Sequence, residues 1–155
     1  MNDFAVRVRD LAGRFPDSRS AVIPALRLAQ DENGGWLSTE SFEEVGAALR
    51  LTPAYCQAVA SFYDMFHLAP VGRHLVEVCT NLSCALVGAQ QVVEAFESEL
   101  GVVPGETTED GEVTFRTAEC LGGCGYATVV AVDNRFRQDV RAEDVPAILE
   151  KLRAG

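Results

Sequence analysis

His74-Leu75-Val76-Glu77-Val78-Cys79-Thr80-Asn81-Leu82-Ser83-Cys84 is the stretch on which the fold turns. Its first five residues read as a strand that ends at Cys79. A helix over about 85–100 follows, with Leu86, Ala89, Val93, Phe96 and Leu100 on one face and Gly101 as its stop. Beyond the turn-rich, acidic run from Pro104 to Gly111, Val113-Thr114-Phe115-Arg116-Thr117-Ala118 alternates like a second strand and runs into Glu119-Cys120. Thr128 to Val132 reads as a third strand. Asp133-Asn134 makes a turn, Arg135 to Gln138 a short fourth strand, and Val145, Ile148, Leu149 and Leu152 mark a last helix over about 143–153. The outline is β-α-β-β-β-α. A helical crossover makes its two flanking strands parallel, so their C-terminal ends share one edge, where open α/β sheets bind ligands. Cys79 follows one of those ends and Cys120 the other.

The cysteine spacing is Cys79-x4-Cys84, 35 residues, then Cys120-x3-Cys124. Four thiolates converging from two loops hold either zinc or an iron–sulfur cluster. Structural zinc favours a tighter x2 knuckle. A [2Fe-2S] cluster is wider than one ion and takes two thiolates on each iron, which suits looser pairs on separate loops. Zinc, and disulfides or free thiols, are the alternatives. Rieske ligation would need two histidines, and His67 and His74 both lie outside the cysteine loops. Asn81, Ser83 and the amides between Cys79 and Cys84 are candidate donors to sulfur. Gly122-Gly123-Cys124-Gly125 lets amides approach closely. No Cys-x-x-Cys occurs, which argues against a dithiol enzyme of the thioredoxin type.

Before this region the chain reads as helices. Asp3 caps one carrying Phe4, Val8 and Leu11; a second covers about 19–32; Ser38 caps a third with Phe42, Val45, Ala48 and Leu49. Thr52-Pro53 opens a fourth with an apolar stripe of Tyr55, Val59, Phe62 and Phe66. Ala69-Pro70-Val71-Gly72 is the linker. The expected architecture is α+β: an N-terminal helical bundle over residues 1–70 and an α/β domain over 71–155.

Composition narrows the classes of function. The 155 residues are 48% hydrophobic and 23% charged, which is globular composition. The net charge of −10 argues against nucleic acid as a partner. No apolar run is long enough to enter a membrane, and Met1 to Arg7 lack the layout of a signal peptide, so the expectation is a cytoplasmic chain. An odd cysteine count without a leader points to metal or redox chemistry.

Cys79-Thr80-Asn81-Leu82-Ser83-Cys84 with Gly88-Ala89, and Glu119-Cys120-Leu121-Gly122-Gly123-Cys124-Gly125, resemble the thioredoxin-like [2Fe-2S] ferredoxin family. Ser20 to Leu26, Ala29-Gln30, Gly35-Trp36-Leu37, Ser61-Phe62-Tyr63, Pro70-Val71-Gly72 and Gly105 to Gly111 extend the resemblance over roughly 15–153. The resemblance implies a helical N-terminal region before a thioredoxin-like domain with one [2Fe-2S] cluster on Cys79, Cys84, Cys120 and Cys124. It implies an electron-transfer subunit, not catalytic alone, that docks on a flavin- and NADH-binding partner subunit holding FMN and NAD. Such chains serve NADH:quinone oxidoreductase (respiratory complex I), in the peripheral arm of that membrane-associated complex. They also serve NAD-linked formate dehydrogenases and NAD-reducing hydrogenases. This chain has no Gly-x-Gly-x-x-Gly fingerprint of its own. The rival from another class is a zinc-stabilised interaction module. Where the family carries Ala-Pro after the fourth cysteine, this sequence has Ala127-Thr128. Proline fixes φ and lacks an amide donor, so Thr128 alters the loop and its hydrogen bonding.

Other residues have simpler readings. Cys56 is expected as a buried free thiol. Phe62, Tyr63 and Phe66 are expected in the core or at a domain interface, and Trp36 as a packing anchor. The acidic run Glu106 to Glu112 is expected as a solvated loop.

Overall fold

The computed structural model describes residues 3–154; Met1, Asn2 and Gly155, at the outer ends of the two expected segments, lie outside the described residues. The chain divides into two compact units, one ending at Pro70 and the other beginning at Val71.

The first unit is helical. It holds α1 (Asp3–Ala12), a short 3-10 turn (Ser18–Ala21), α2 (Val22–Glu32), α3 (Thr39–Leu49) and α4 (Pro53–Phe62). Their ends follow local chemistry. Asp17 accepts from the Arg19 amide at the 3-10 turn, and Ser38 forms a reciprocal cap with Ser41 on α3. Thr52 caps α4, with Pro53 in its first turn, where a missing N–H costs nothing. Val8, Val22, Leu26, Val45 and Cys56 meet in one apolar core.

The buried face of α4 differs from the expected stripe. Cys56 and Ala60 are buried, whereas Tyr55 is 40% and Phe62 81% exposed. Small residues go inward because α3 and α4 pass closely at their junction. A Cβ on Gly46 would lie 2.9 Å from the Leu51 carbonyl oxygen and 3.3 Å from the Pro53 nitrogen. The helix ends at Phe62, and Phe66 returns to the core from the following turn. Tyr63 is also part-exposed, stacked edge-on to Phe62 with ring centres 5.1 Å apart. Leu37, rather than Trp36, is the fully buried residue after the double glycine.

The second unit holds β1 (His74–Cys79), α5 (Leu82–Leu86), α6 (Ala89–Leu100), β2 (Glu106–Thr107), β3 (Val113–Ala118), β4 (Val130–Val132), β5 (Arg135–Arg137) and α7 (Val145–Arg153). The sheet order is β2-β3-β1-β4-β5. β1 and β3 are parallel, as the crossover requires, and Cys79 sits in register with Ala118. The other pairings are antiparallel. Val76, Val78, Val113, Phe115, Val130 and Val132 turn one face of the sheet toward α6 and α7 and form a two-layer core with Phe96, Val145 and Leu149. Phe96 and Phe115 lie 5.5 Å apart at its centre. On the opposite face the buried Glu77 accepts from its cross-strand neighbour Arg116 at 2.7 and 2.8 Å, so its charge is paired.

Two details depart from the expectation. The single helix over 85–100 is broken at Gly88, whose φ of +108° only glycine adopts without strain, and Leu86 is 77% exposed. A two-residue strand, β2, lies within the acidic stretch and pairs with β3. The turn that follows it, Thr108 to Glu112, precedes β3 and so lies at the end of that strand opposite Cys120.

Candidate metal centre

The two cysteine loops are tied to the same edge of the sheet. Cys79 is the last residue of β1, and its N–H donates to the Val129 carbonyl at 3.0 Å. Thr80 then crosses to β3, its N–H donating to the Ala118 carbonyl at 3.0 Å. Asn81 ends the strand by capping α5, its side chain accepting from the Leu82 N–H at 2.8 Å. That cap carries Cys84 into the turn of α5, with Ser83 half-buried beside it. Cys79 and Cys84 are buried against Ala89 and Val129, with Leu121 and Ala127 packed on the same cluster.

The second pair sits on a looser segment. Cys120 and Cys124 are exposed. Gly122 takes a φ of +76°, and its N–H donates to the Cys120 sulfur at 3.4 Å. Gly123 has no room for a side chain, since a Cβ there would come within 2.7 Å of a Val129 methyl group. Cys124 opens a 3-10 turn, Cys124–Tyr126. The Ala127–Thr128 peptide bond is cis.

Electrostatics links the loops. Burial pushes the Cys79 thiol up, but hydrogen bonds from the Asn81 and Leu121 N–H groups and from the Cys84 thiol outweigh it and bring Cys79 below the usual thiol range. Burial holds Cys84 above that range. The Val129 N–H opposes the rise, and the Cys79 hydrogen bond and the charges of Cys79 and Cys124 add to it. Leu121 belongs to the second loop and Cys79 to the first, so one sulfur is served by both. Backbone donors thus face three of the four sulfurs. Among the described residues no three His, Cys, Asp or Glu side chains converge on a single point for one ion. The thiols are spread over two loops instead, with Cys79 and Cys84 hydrogen-bonded to each other.

This arrangement fits a [2Fe-2S] cluster. The donor set is all sulfur, amide donors face it, and apolar side chains floor it. Asn81 contributes through its backbone N–H, while its side chain serves the helix cap. Sequence reasoning misses the donors from Leu121 and Val129, because a hydrogen bond between a sulfur and an amide 42 or 45 positions away has no local signal. The histidines have other partners. The His74 Nδ1 pairs with Asp133 at 2.8 Å at the far end of β1, and the His67 N–H donates to Gln30 in the helical unit. Cys56 is fully buried in the helical core, and burial raises its thiol above the usual range.

Comparison with known proteins shows the family. The model of the thioredoxin-like [2Fe-2S] ferredoxin family matches residues 8–153, and the chain belongs to that family, whose cofactor is a [2Fe-2S] cluster. It is 41% identical over 144 residues to the second NADH-quinone oxidoreductase E subunit of Rhizobium meliloti (strain 1021), covering 93% of this chain and 85% of that protein. It is 37% identical over 146 residues to the NADH-quinone oxidoreductase E subunit of Rickettsia bellii (strain RML369-C), covering 93% and 87%. Among solved structures, an NAD+-reducing [NiFe]-hydrogenase chain shares the fold, with a TM-score of 0.75 at 22% identity. The match covers 86% of this chain but only 23% of that one. Among the described residues no helix is long and apolar enough to cross a membrane.

Proposed function

We propose that this chain is the electron-transfer subunit of an NADH-quinone oxidoreductase complex, with its [2Fe-2S] cluster held by Cys79, Cys84, Cys120 and Cys124. The observation that carries the reading is the likeness, along nearly the whole chain, to the E subunits of such complexes. When bound, a [2Fe-2S] cluster takes up and releases one electron at a time. The chain's own residues set the conditions for that exchange. The N–H groups of Asn81, Leu121, Gly122 and Val129 offset negative charge on the ligating sulfurs. Ala89 and Val129 keep water from the inner pair, while the exposed Cys120 and Cys124 leave the outer side open to an electron donor. That donor is the flavin of an NADH-binding partner subunit, on which FMN and NAD sit. The two units, residues 1–70 and 71–155, act as a docking region and an electron-transfer domain within the peripheral arm.

The test uses the full chain, reconstituted with iron and sulfide, together with the flavin- and NADH-binding subunit of the same complex. The two co-purify, and adding NADH bleaches the visible absorption of the iron–sulfur chain. Bleaching by dithionite but not by NADH with the partner present would overturn this assignment.

A further inference from the structure

Among the described residues one buried side-chain polar atom has no hydrogen-bond partner, the hydroxyl oxygen of Thr128. Thr128 is 1% exposed. It lies on the segment returning from Cys124 to β4, and both its neighbours wall the metal centre. Ala127 packs against the cluster of side chains that contains Cys79, Cys84 and Val129. Val129 accepts from the Cys79 N–H and donates to the Cys84 sulfur. The Thr128 carbonyl is already engaged, accepting from the Val140 N–H at 3.0 Å. The hydroxyl therefore has a proton to give, and nothing among the described residues receives it. Sealing a hydroxyl from water without a partner is unfavourable, and native proteins leave few such groups. A partner outside the polypeptide resolves the conflict. The sulfurs of an anionic cluster are acceptors of the right kind beside this segment.

We propose that the Thr128 hydroxyl donates a hydrogen bond to a sulfur of the [2Fe-2S] cluster and raises its reduction potential. The proposal rests on the cluster assignment above. A donor at sulfur stabilises the more negative, reduced state more than the oxidised one, so removing it makes the cluster harder to reduce.

The test is a potentiometric titration of the purified, cluster-loaded full chain, followed by electron paramagnetic resonance, with iron and sulfide assayed on each sample. Thr128→Val keeps the shape and removes the hydroxyl. Thr128→Ala also removes the hydroxyl, without valine's steric demand, and serves if valine disturbs the fold. Thr128→Ser keeps the donor. The expected result is a lower midpoint potential in the valine and alanine variants at full iron content, with serine close to the parent chain. An unmoved potential in a fully loaded valine or alanine variant would overturn the proposal and give the hydroxyl to a buried water. A parent chain without iron or a paramagnetic signal would overturn the cluster assignment itself.

Discussion

The two cysteine loops differ in what holds them. Cys79 and Cys84 belong to regular elements, the last residue of β1 and the turn of α5, and they are buried at 3% and 2% exposure. Cys120 and Cys124 are exposed, on a glycine-rich segment after β3 whose turn depends on Gly122 and whose approach to Val129 depends on Gly123. The first pair is fixed by the same packing that makes the sheet. The second is fixed by backbone permissiveness and by the Leu121 N–H that reaches Cys79. One loop is a platform built by the fold, and the other is a clasp laid over it.

Replacing each cysteine by alanine is the strongest way to break this distinction. All four variants lose the cluster when iron and sulfide are assayed, because each removes one of the four thiolates proposed to hold it. With cluster loss common to all, the comparison among them isolates packing. Cys79→Ala and Cys84→Ala unfold in urea less stably than Cys120→Ala and Cys124→Ala by about 1 kcal/mol or more, since only the first two open a gap in a buried cluster of side chains. Equal stabilities for the four variants would erase the distinction between platform and clasp.

The glycines of the clasp give a smaller, graded series. Gly123→Ala forces a methyl group against Val129 and is expected to cost about 1–3 kcal/mol, with weaker cluster retention. Gly122→Ala meets no atom but must hold a φ of +76°, at about 1–2 kcal/mol. Gly125→Ala meets nothing and needs no left-handed backbone, so its effect stays within about 0.5 kcal/mol. Urea midpoints and iron per chain, measured on the three variants, check the order. A Gly125 variant as damaging as the Gly123 variant would mean that the loop is constrained by something other than Val129.

The platform is far more legible in the sequence than the clasp's supports. A helix between two strands forces them parallel, and both strands lead directly into cysteines, so the edge where the pairs meet follows from topology. Helix caps at Ser38 and Thr52 are readable because their chemistry is local. The stripe on α4 misleads, because periodicity weighs large apolar residues such as Phe62, whereas a close helix–helix approach at Gly46 selects Cys56 and Ala60. β2 is invisible because two residues carry no period of their own. The split at Gly88 escapes because an apolar face continues across it, although the residue's φ breaks the helix. The amides of Leu121 and Val129 leave no local trace, since every residue but proline has one and only tertiary placement aims it.

The most direct test of the central claim, that both loops hold one two-iron cluster, is low-temperature electron paramagnetic resonance of the anaerobically purified, dithionite-reduced full chain, with iron and acid-labile sulfide assayed on the same sample. A single [2Fe-2S] cluster on the two loops gives a spin-½ signal with about two irons and two sulfides per chain. About one zinc per chain, with no iron and no signal, would contradict it and leave the four cysteines a structural role.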